Sequence, residues 1–175
     1  ELYSRAPYVS DRDRVQLDAE GSIQYGMYYW DDNYPDSHVF AEGECLRKTF
    51  DPDFMLYHTM AVDEWGHMKG ADSAEYANAV AAVGHLIAAR MPEWLEKGYQ
   101  VVVTADHGMN NLGIHVGTEH AQREVALYIF SDKVENGRFE ENYISQLNVA
   151  PLVCKLMGVP ATEGMKQELE IQLHK

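Results

Sequence analysis

The first half of the chain alternates between short apolar stretches and polar turn residues, which predicts strands separated by a helix. Gln24–Trp30 is rich in aromatic residues and is predicted to be a strand. After the polar cluster Asp31–Asp36, Ser37–Phe50 is predicted to be a helix, and Asp53–Met60, with its apolar centre, a buried strand. This order of strand, helix and strand is the beginning of an α/β pattern.

The second half continues the pattern with longer elements. Apolar residues recur at helical spacing between Tyr76 and Met91, after the capping residues Asp72 and Ser73. The further predicted elements are a β-branched strand over Gln100–Thr104, a strand over Val125–Phe130 and a helix over Leu147–Met157. The sequence therefore predicts one α/β domain over residues 1–175, with a mostly parallel sheet and helices on both faces.

The charge of the chain restricts its partners. The 175 residues carry a formal net charge of −14, and a surface this acidic repels a nucleic acid polymer. No apolar run reaches the ~18 residues of a transmembrane helix, so no membrane span is predicted. A small phosphorylated substrate remains compatible with the charge, because bound cations reverse its sign locally. The sequence leaves the oligomeric state open.

Asp106 and His107 stand directly behind the predicted strand Gln100–Thr104. Ligand sites in open parallel sheets form at the carboxyl ends of the strands, and a carboxylate and an imidazole are both good metal ligands. The alternative interpretation is that Asp106 caps a turn and that His107 is a solvated surface residue.

Two further groups of metal-ligating residues lie nearby in the sequence. Asp63 and His67, four residues apart, follow the predicted strand Asp53–Met60 and share one face if the segment is helical. His115 and His120 lie in a polar loop behind His107. Each group alone could be a capping Asp or an exposed His. Together they form a set of ligands that suits two zinc ions, or zinc with another transition metal, better than magnesium or calcium, which prefer oxygen.

These motifs resemble those of the type I phosphodiesterase and nucleotide pyrophosphatase branch of the alkaline phosphatase superfamily. The resemblance covers about residues 24–160 and keeps the order of the motifs. The matching motifs are Val62-Asp63-x-x-Gly66-His67-x-x-Gly70, Ser73-x-Glu75-Tyr76, Thr104-Ala105-Asp106-His107-Gly108-Met109, His115-x-Gly117-Thr118, Arg123-Glu124-Val125 and the helix Val149–Met157 with Gly158-Val159-Pro160.

The resemblance implies an alkaline-phosphatase-like fold and a site for two adjacent divalent ions, expected to be zinc. Asp63, His67 and one later His would bind the first ion, and Asp106 and His107 the second. His115 fits the phosphodiesterase-like pattern His-x-Gly-Thr and is favoured over His120, which fits a phosphopentomutase-like spacing. Glu64, Thr118 and Glu119 are candidates for orienting the imidazoles.

The resemblance also implies a Thr or Ser nucleophile and a further Asp that these motifs do not supply. We expect both to lie upstream of Glu1, in a longer catalytic domain of which residues 1–175 are the C-terminal part. The chain alone is then expected to be inactive. The first residue is not Met, so an upstream signal and an extracytoplasmic location of the longer protein are compatible with the sequence.

The predicted activity is metal-dependent hydrolysis of phosphodiester or phosphomonoester bonds. Three alternatives stay open. A phosphomutase or a sulfatase of the same superfamily would use a similar set of ligands, and the substrate pocket that separates them is not recognisable in the sequence. A metal-binding module without catalytic activity would lack the nucleophile altogether.

Overall fold

The computed structural model describes residues 14–29, 31–138 and 143–165, together with Leu169, Ile171 and Leu173. Most of the described secondary structure is helical, and the strands are short. In chain order the elements are β1 (Val15–Leu17), β2 (Tyr25–Met27), α1 (Asp36–Phe50), α2 (Ala61–Lys69), α3 (Ala74–Glu96), β3 (Val101–Val103), α4 (His120–Arg123), β4 (Tyr128–Phe130), a 3-10 turn (Gln146–Asn148) and α5 (Val149–Met157).

The sheet differs from the sequence-based prediction. β1 pairs with β2 and β3 pairs with β4, and both pairs are antiparallel. The predicted strand Asp53–Met60 forms no strand, and its side chains Phe54 and Leu56 are exposed instead of facing a core. An apolar run becomes an interior strand only where neighbouring strands pair with both of its edges and helices cover its faces. The α/β class therefore holds, but the described residues contain no parallel pair, and the mostly parallel sheet is not confirmed.

The described residues divide into two compact units. The first contains the described residues up to Ala89 together with His107–Arg123, and the second contains Arg90–Asp106 and the described residues from Glu124 onwards. The prediction of a single domain over residues 1–175 stays a prediction.

The first unit contains the helices that the apolar periodicity predicted. α1 follows the predicted bounds closely, and its side chain Phe40 is almost fully buried and stacks on Tyr57, with 5.2 Å between the ring centroids. α3 begins behind Ser73, whose Oγ accepts a hydrogen bond from the amide of Tyr76 at 3.1 Å. This bond is the helix cap that the sequence predicted.

The second unit is built around the hairpin of β3 and β4 and the helix α5. Leu152 and Leu156, one turn apart on α5, are buried. α5 ends at Gly158, whose φ of 74° is in the left-handed region that favours glycine. The predicted closing helix and its glycine stop are therefore confirmed.

Candidate metal centre

Asp63 and His67 lie on one face of α2. The sequence left open whether this segment is a helix or a loop, and the structure makes it helical over Ala61–Lys69. The four-residue spacing brings Asp63 Oδ2 to 3.5 Å from His67 Nε2. Asp63 is half-buried, whereas His67 is exposed at the end of the helix.

The C-terminal end of α2 packs tightly against the loop that follows His107. A Cβ on Gly66 would lie 2.8 Å from Met109 Cε, so a larger residue here would require the Met109 side chain to shift. Gly113, at a φ of 73°, would place a Cβ 3.0 Å from Gly66 O. The carbonyl of Gly113 lies 2.8 Å from His67 Nδ1. A carbonyl oxygen only accepts, so Nδ1 carries the proton and Nε2 keeps its lone pair when the ring is neutral.

His107 is held in the same way on the opposite side of Asp63. Its Nδ1 lies 3.0 Å from the carbonyl oxygen of Gly108, and its Nε2 lies 3.7 Å from Asp63 Oδ1. The two oxygens of the Asp63 carboxylate therefore face two different imidazoles, those of His67 and His107. A backbone carbonyl on the second ring nitrogen is a common way of orienting a metal-ligating histidine.

His115 completes the cluster from the loop behind His107. Its ring stacks on that of His107, with centroids 3.7 Å apart and planes 13° from parallel, and meets the ring of His67 edge-on at 5.0 Å. One ligand atom each from Asp63, His107 and His115 lies within 4.8 Å of the others. This group could hold a metal ion.

The hydrogen bonding of Asp63 tests whether these residues fit a cation. Within the described parts of the chain, Asp63 Oδ1 is buried and accepts no hydrogen bond. A buried acceptor that is left without a partner costs about 1–3 kcal/mol. A divalent ion among these oxygen and nitrogen donors would satisfy it, and the combination of one carboxylate with imidazoles is typical of zinc.

The structure brings some of the predicted ligands together and leaves others apart. The group of three contains Asp63, His107 and His115, whereas the resemblance implied Asp63 and His67 with a later His. Asp106 is exposed and belongs to the second unit, where its backbone carbonyl accepts a hydrogen bond from Gln146 Nε2 at 3.1 Å. His120 is exposed at the start of α4, outside the group of three. The division of the predicted ligands between two ions stays a prediction.

Two residues that the sequence analysis did not single out organise the loop. Asn110 Oδ1 accepts hydrogen bonds from the amides of Leu112 and Ile114, both at 3.0 Å. The buried side chain of Gln122 donates to the carbonyl of Ile114 at 3.2 Å. An Asn before a glycine-containing loop is a recognisable turn signal, whereas nothing in the sequence distinguishes Gln122 from a solvated glutamine.

Glu64, Thr118 and Glu119 were the candidates for orienting the imidazoles, and the contacts observed around the rings involve other groups. Glu119 Oε2 accepts a hydrogen bond from Asn110 Nδ2 at 3.3 Å. The partners observed for the Nδ1 atoms of His67 and His107 are backbone carbonyls. The roles predicted for Glu64, Thr118 and Glu119 therefore stay predictions.

Tyr76, on the first turn of α3, reports the electrostatics beside Asp63. Burial of the phenol raises the pKa of Tyr76 above its usual range, and the negative charge of Asp63 raises it further. The carboxylate of Asp63 thus lies close enough to the phenol to act on it electrostatically.

Residues 6–148, well over half of the chain, match the sequence model of the type I phosphodiesterase / nucleotide pyrophosphatase family. The chain belongs to this family. The membership confirms the resemblance on which the candidate ligands were chosen, and it places the chain in the alkaline phosphatase superfamily; the matches support phosphoester-related activity in that superfamily.

Curated relatives show what similar proteins do. The catalytic subunit of GPI ethanolamine phosphate transferase 3 from Mus musculus is 27% identical over 161 residues, which cover 87% of this chain and 15% of the relative. The 2,3-bisphosphoglycerate-independent phosphoglycerate mutase of Wolinella succinogenes is 31% identical over 121 residues, 67% of this chain and 23% of the relative. The chain thus spans less than a quarter of either relative. No solved structure matches it significantly.

The relatives overturn the prediction about partners. Several of them are named as GPI ethanolamine phosphate transferases, and GPI is a lipid-linked glycan, so the prediction of a small phosphorylated substrate is wrong. The physical reason is that charge and motifs report the phosphoryl chemistry but not what the phosphoryl group is attached to. Among the described residues, no helix is long and apolar enough to cross a membrane.

Proposed function

We propose that this chain supplies the metal ligands of an enzyme that cleaves a phosphoester and transfers the phosphoryl-containing group to a hydroxyl acceptor. The observation that supports the proposal most strongly is Asp63 Oδ1, which is buried without a hydrogen-bond donor among the described residues and faces His107 Nε2. The side chains around it supply nitrogen donors, as a zinc site requires.

The proposed ligands are the five that the sequence indicated. Asp63, His67 and His115 would hold one zinc ion, and Asp106 and His107 would hold a second. The position of the Asp63 carboxylate between His67 and His107 supports two neighbouring ions, because each of its oxygens faces a different imidazole. When bound, the ions would act as Lewis acids that stabilise charge on the phosphoryl oxygens.

The residues of this chain would prepare the site before the substrate arrives. The carbonyls of Gly113 and Gly108 hold the Nδ1 protons of His67 and His107, which directs both Nε2 lone pairs towards Asp63. Metal ligands that are already in position need little rearrangement when charge develops in the transition state. The nucleophile is proposed to be a Thr or Ser outside residues 1–175.

Transfer to an alcohol is proposed over hydrolysis because of the relatives' names. The transferases named above move ethanolamine phosphate to GPI, and by analogy the acceptor here would be a hydroxyl of a lipid-linked glycan. Hydrolysis is the same reaction with water as the acceptor. A phosphomutase is the second candidate, supported by the 31% identity to the phosphoglycerate mutase. The extracytoplasmic location of the whole protein stays a prediction.

Calorimetric titration of the chain with zinc, magnesium and calcium tests the metal proposal. We expect saturable zinc binding, much weaker magnesium and calcium binding, and in Asp63→Ala the loss of the zinc ion that Asp63, His67 and His115 would hold. Asp53→Ala, which removes an exposed carboxylate from the neighbouring segment, is the matched control and should bind zinc normally. Zinc binding of unchanged stoichiometry and affinity in Asp63→Ala would refute this site.

The type of reaction is tested on the whole protein. We expect a product in which the phosphoryl group is linked to an alcohol acceptor, detected by mass spectrometry after incubation with a phosphoethanolamine donor and a lipid-linked glycan. Release of the same group to water alone would identify a hydrolase.

A further inference from the structure

Gln122 is a buried polar residue in an exposed stretch of chain. Its side chain is only 6% exposed, although its neighbours from Val116 to Ala121 are exposed, as are Arg123 and Glu124. Glutamine is mostly found on protein surfaces, and burial of its amide is unfavourable unless hydrogen bonds replace those to water. The hydrogen bonds of Gln122 therefore show which groups its buried side chain holds.

The hydrogen bonds of Gln122 reach the neighbours of both candidate histidines. Its Nε2 donates to the carbonyl of Ile114, the residue before His115, at 3.2 Å. Its backbone carbonyl accepts from the amide of Gly108, the residue after His107, at 3.0 Å. One residue thus connects the backbone next to His107 with the backbone next to His115.

Two further hydrogen bonds join Gln122 to Glu119. The side-chain Oε1 of Gln122 accepts from the backbone amide of Glu119 at 3.2 Å, and the backbone amide of Gln122 donates to the backbone carbonyl of Glu119 at 3.1 Å. Gly117 lies directly against the carboxamide: a Cβ at that position would lie 2.9 Å from Gln122 Nε2. Gly117 is therefore required by the close approach of its backbone to Gln122.

We infer that Gln122 is a positioning residue that sets the separation of His107 and His115, an inference that rests on the proposed metal site. The two imidazoles stack with centroids 3.7 Å apart, an arrangement that their side chains alone do not impose. Each ring can adopt several rotamers about its two side-chain bonds, so its place also depends on how the backbone on which it stands is held. Partners that orient metal ligands typically change metal affinity about 10–100-fold when they are removed.

Gln122→Met tests the inference, because methionine is close to glutamine in size but its side chain cannot replace the two side-chain hydrogen bonds, that to Ile114 and that from Glu119. The readouts are the zinc dissociation constant of the 175-residue chain by calorimetry and its melting temperature in EDTA. We expect zinc affinity to fall about tenfold or more. Gln24→Met is the matched control, since exposed Gln24 also donates to a carbonyl, that of Ala19 at 3.0 Å, and should leave zinc affinity unchanged.

A second variant tests the same contact from the opposite side. Gly117→Ala keeps Gln122 but places a methyl group against its carboxamide, and it should lower zinc affinity in the same direction. This variant decides the question if Gln122→Met does not fold. Hydrogen exchange of the peptide containing residues 113–119, measured without zinc, should be faster in both variants than in the unmodified chain.

The outcomes separate this inference from the proposed function. If the unmodified chain does not bind zinc, the metal proposal fails and this inference fails with it. If the unmodified chain binds zinc and Asp63→Ala loses one zinc ion, but both loop variants bind with unchanged affinity, Gln122 has only a structural role and the inference is wrong. A lowered melting temperature in EDTA with unchanged zinc affinity would lead to the same conclusion.

Discussion

The carboxylate of Asp36 caps the helix that carries Asp63 and His67 by accepting a hydrogen bond from the amide of Met60 at 3.1 Å. The same oxygen lies 3.4 Å from the amide of Ala61, and Asp36 is buried. Met60 offers no side-chain cap of its own, so a residue from the first turn of α1 satisfies the free amides of α2. The candidate metal centre thus depends on a contact between residues 24 positions apart.

Removal of this cap should destabilise the chain. We expect Asp36→Ala to lower the free energy of unfolding by about 1 kcal/mol or more, because it removes an acceptor and a negative charge from the positive end of α2. Asp36→Asn should have a smaller effect, since its side-chain oxygen still accepts. Urea denaturation measures both, and Asp53→Ala, at an exposed position, should change little. Equal stability of Asp36→Ala and Asp53→Ala would contradict the capping role.

Gly66→Ala should lower the stability of the chain, because the clash of the added methyl group outweighs the higher helix propensity of alanine. The added methyl group would lie 2.8 Å from Met109 Cε and 3.2 Å from Tyr76 Cε2, so we expect a loss of about 1–3 kcal/mol in the free energy of unfolding. Gly84→Ala is the matched control on α3, where nothing lies within 4 Å of the new methyl group. It should stabilise the chain by about 0.5–1 kcal/mol. Urea denaturation should therefore give changes of opposite sign.

His115 and His120 should differ in their effect on zinc binding. We expect His115→Ala to weaken zinc binding at least as much as His67→Ala, because the His115 ring stacks on His107 within the candidate centre. His120→Ala should weaken it less, since His120 is exposed on α4 outside that group. Calorimetric titration of the three variants measures the order. A larger loss in His120→Ala would favour the phosphopentomutase-like spacing and the mutase alternative.

Zinc should stabilise the fold in proportion to its binding. At a free zinc concentration about 100 times the dissociation constant, the gain in the free energy of unfolding should be about 2.7 kcal/mol, and EDTA should remove it. Asp63→Asn should lose this gain yet be no less stable than the unmodified chain in EDTA. The reason is that Asp63 Oδ1 is buried and has no hydrogen bond among the described residues. Replacing the carboxylate by a neutral carboxamide therefore removes no hydrogen bond from this oxygen. Melting curves with and without zinc test both statements.

The sequence by itself determined three of the helices, α1, α3 and α5, and the kinds of ligand. Helical periodicity is a local property, so α1, α3 and the glycine stop of α5 could be predicted from neighbouring residues. The i, i+4 relation of Asp63 and His67 followed from the same geometry once the segment was helical. The motifs around Asp63, Asp106 and His115 were specific enough to indicate the family that the comparison then confirmed.

The tertiary structure alone decided which strands pair and which side chains meet. β3 pairs with β4 in the antiparallel sense, and Phe54 and Leu56 remain exposed, because pairing and burial depend on neighbours that are distant in sequence. The meeting of His107 with Asp63, the cap from Asp36 and the bridge through Gln122 are also long-range or loop contacts. Asp36 and Gln122 are ordinary polar residues that no pattern of spacing singles out. Local sequence signals describe what a segment tends to form, whereas these contacts exist only after the chain has folded and brought the segments together.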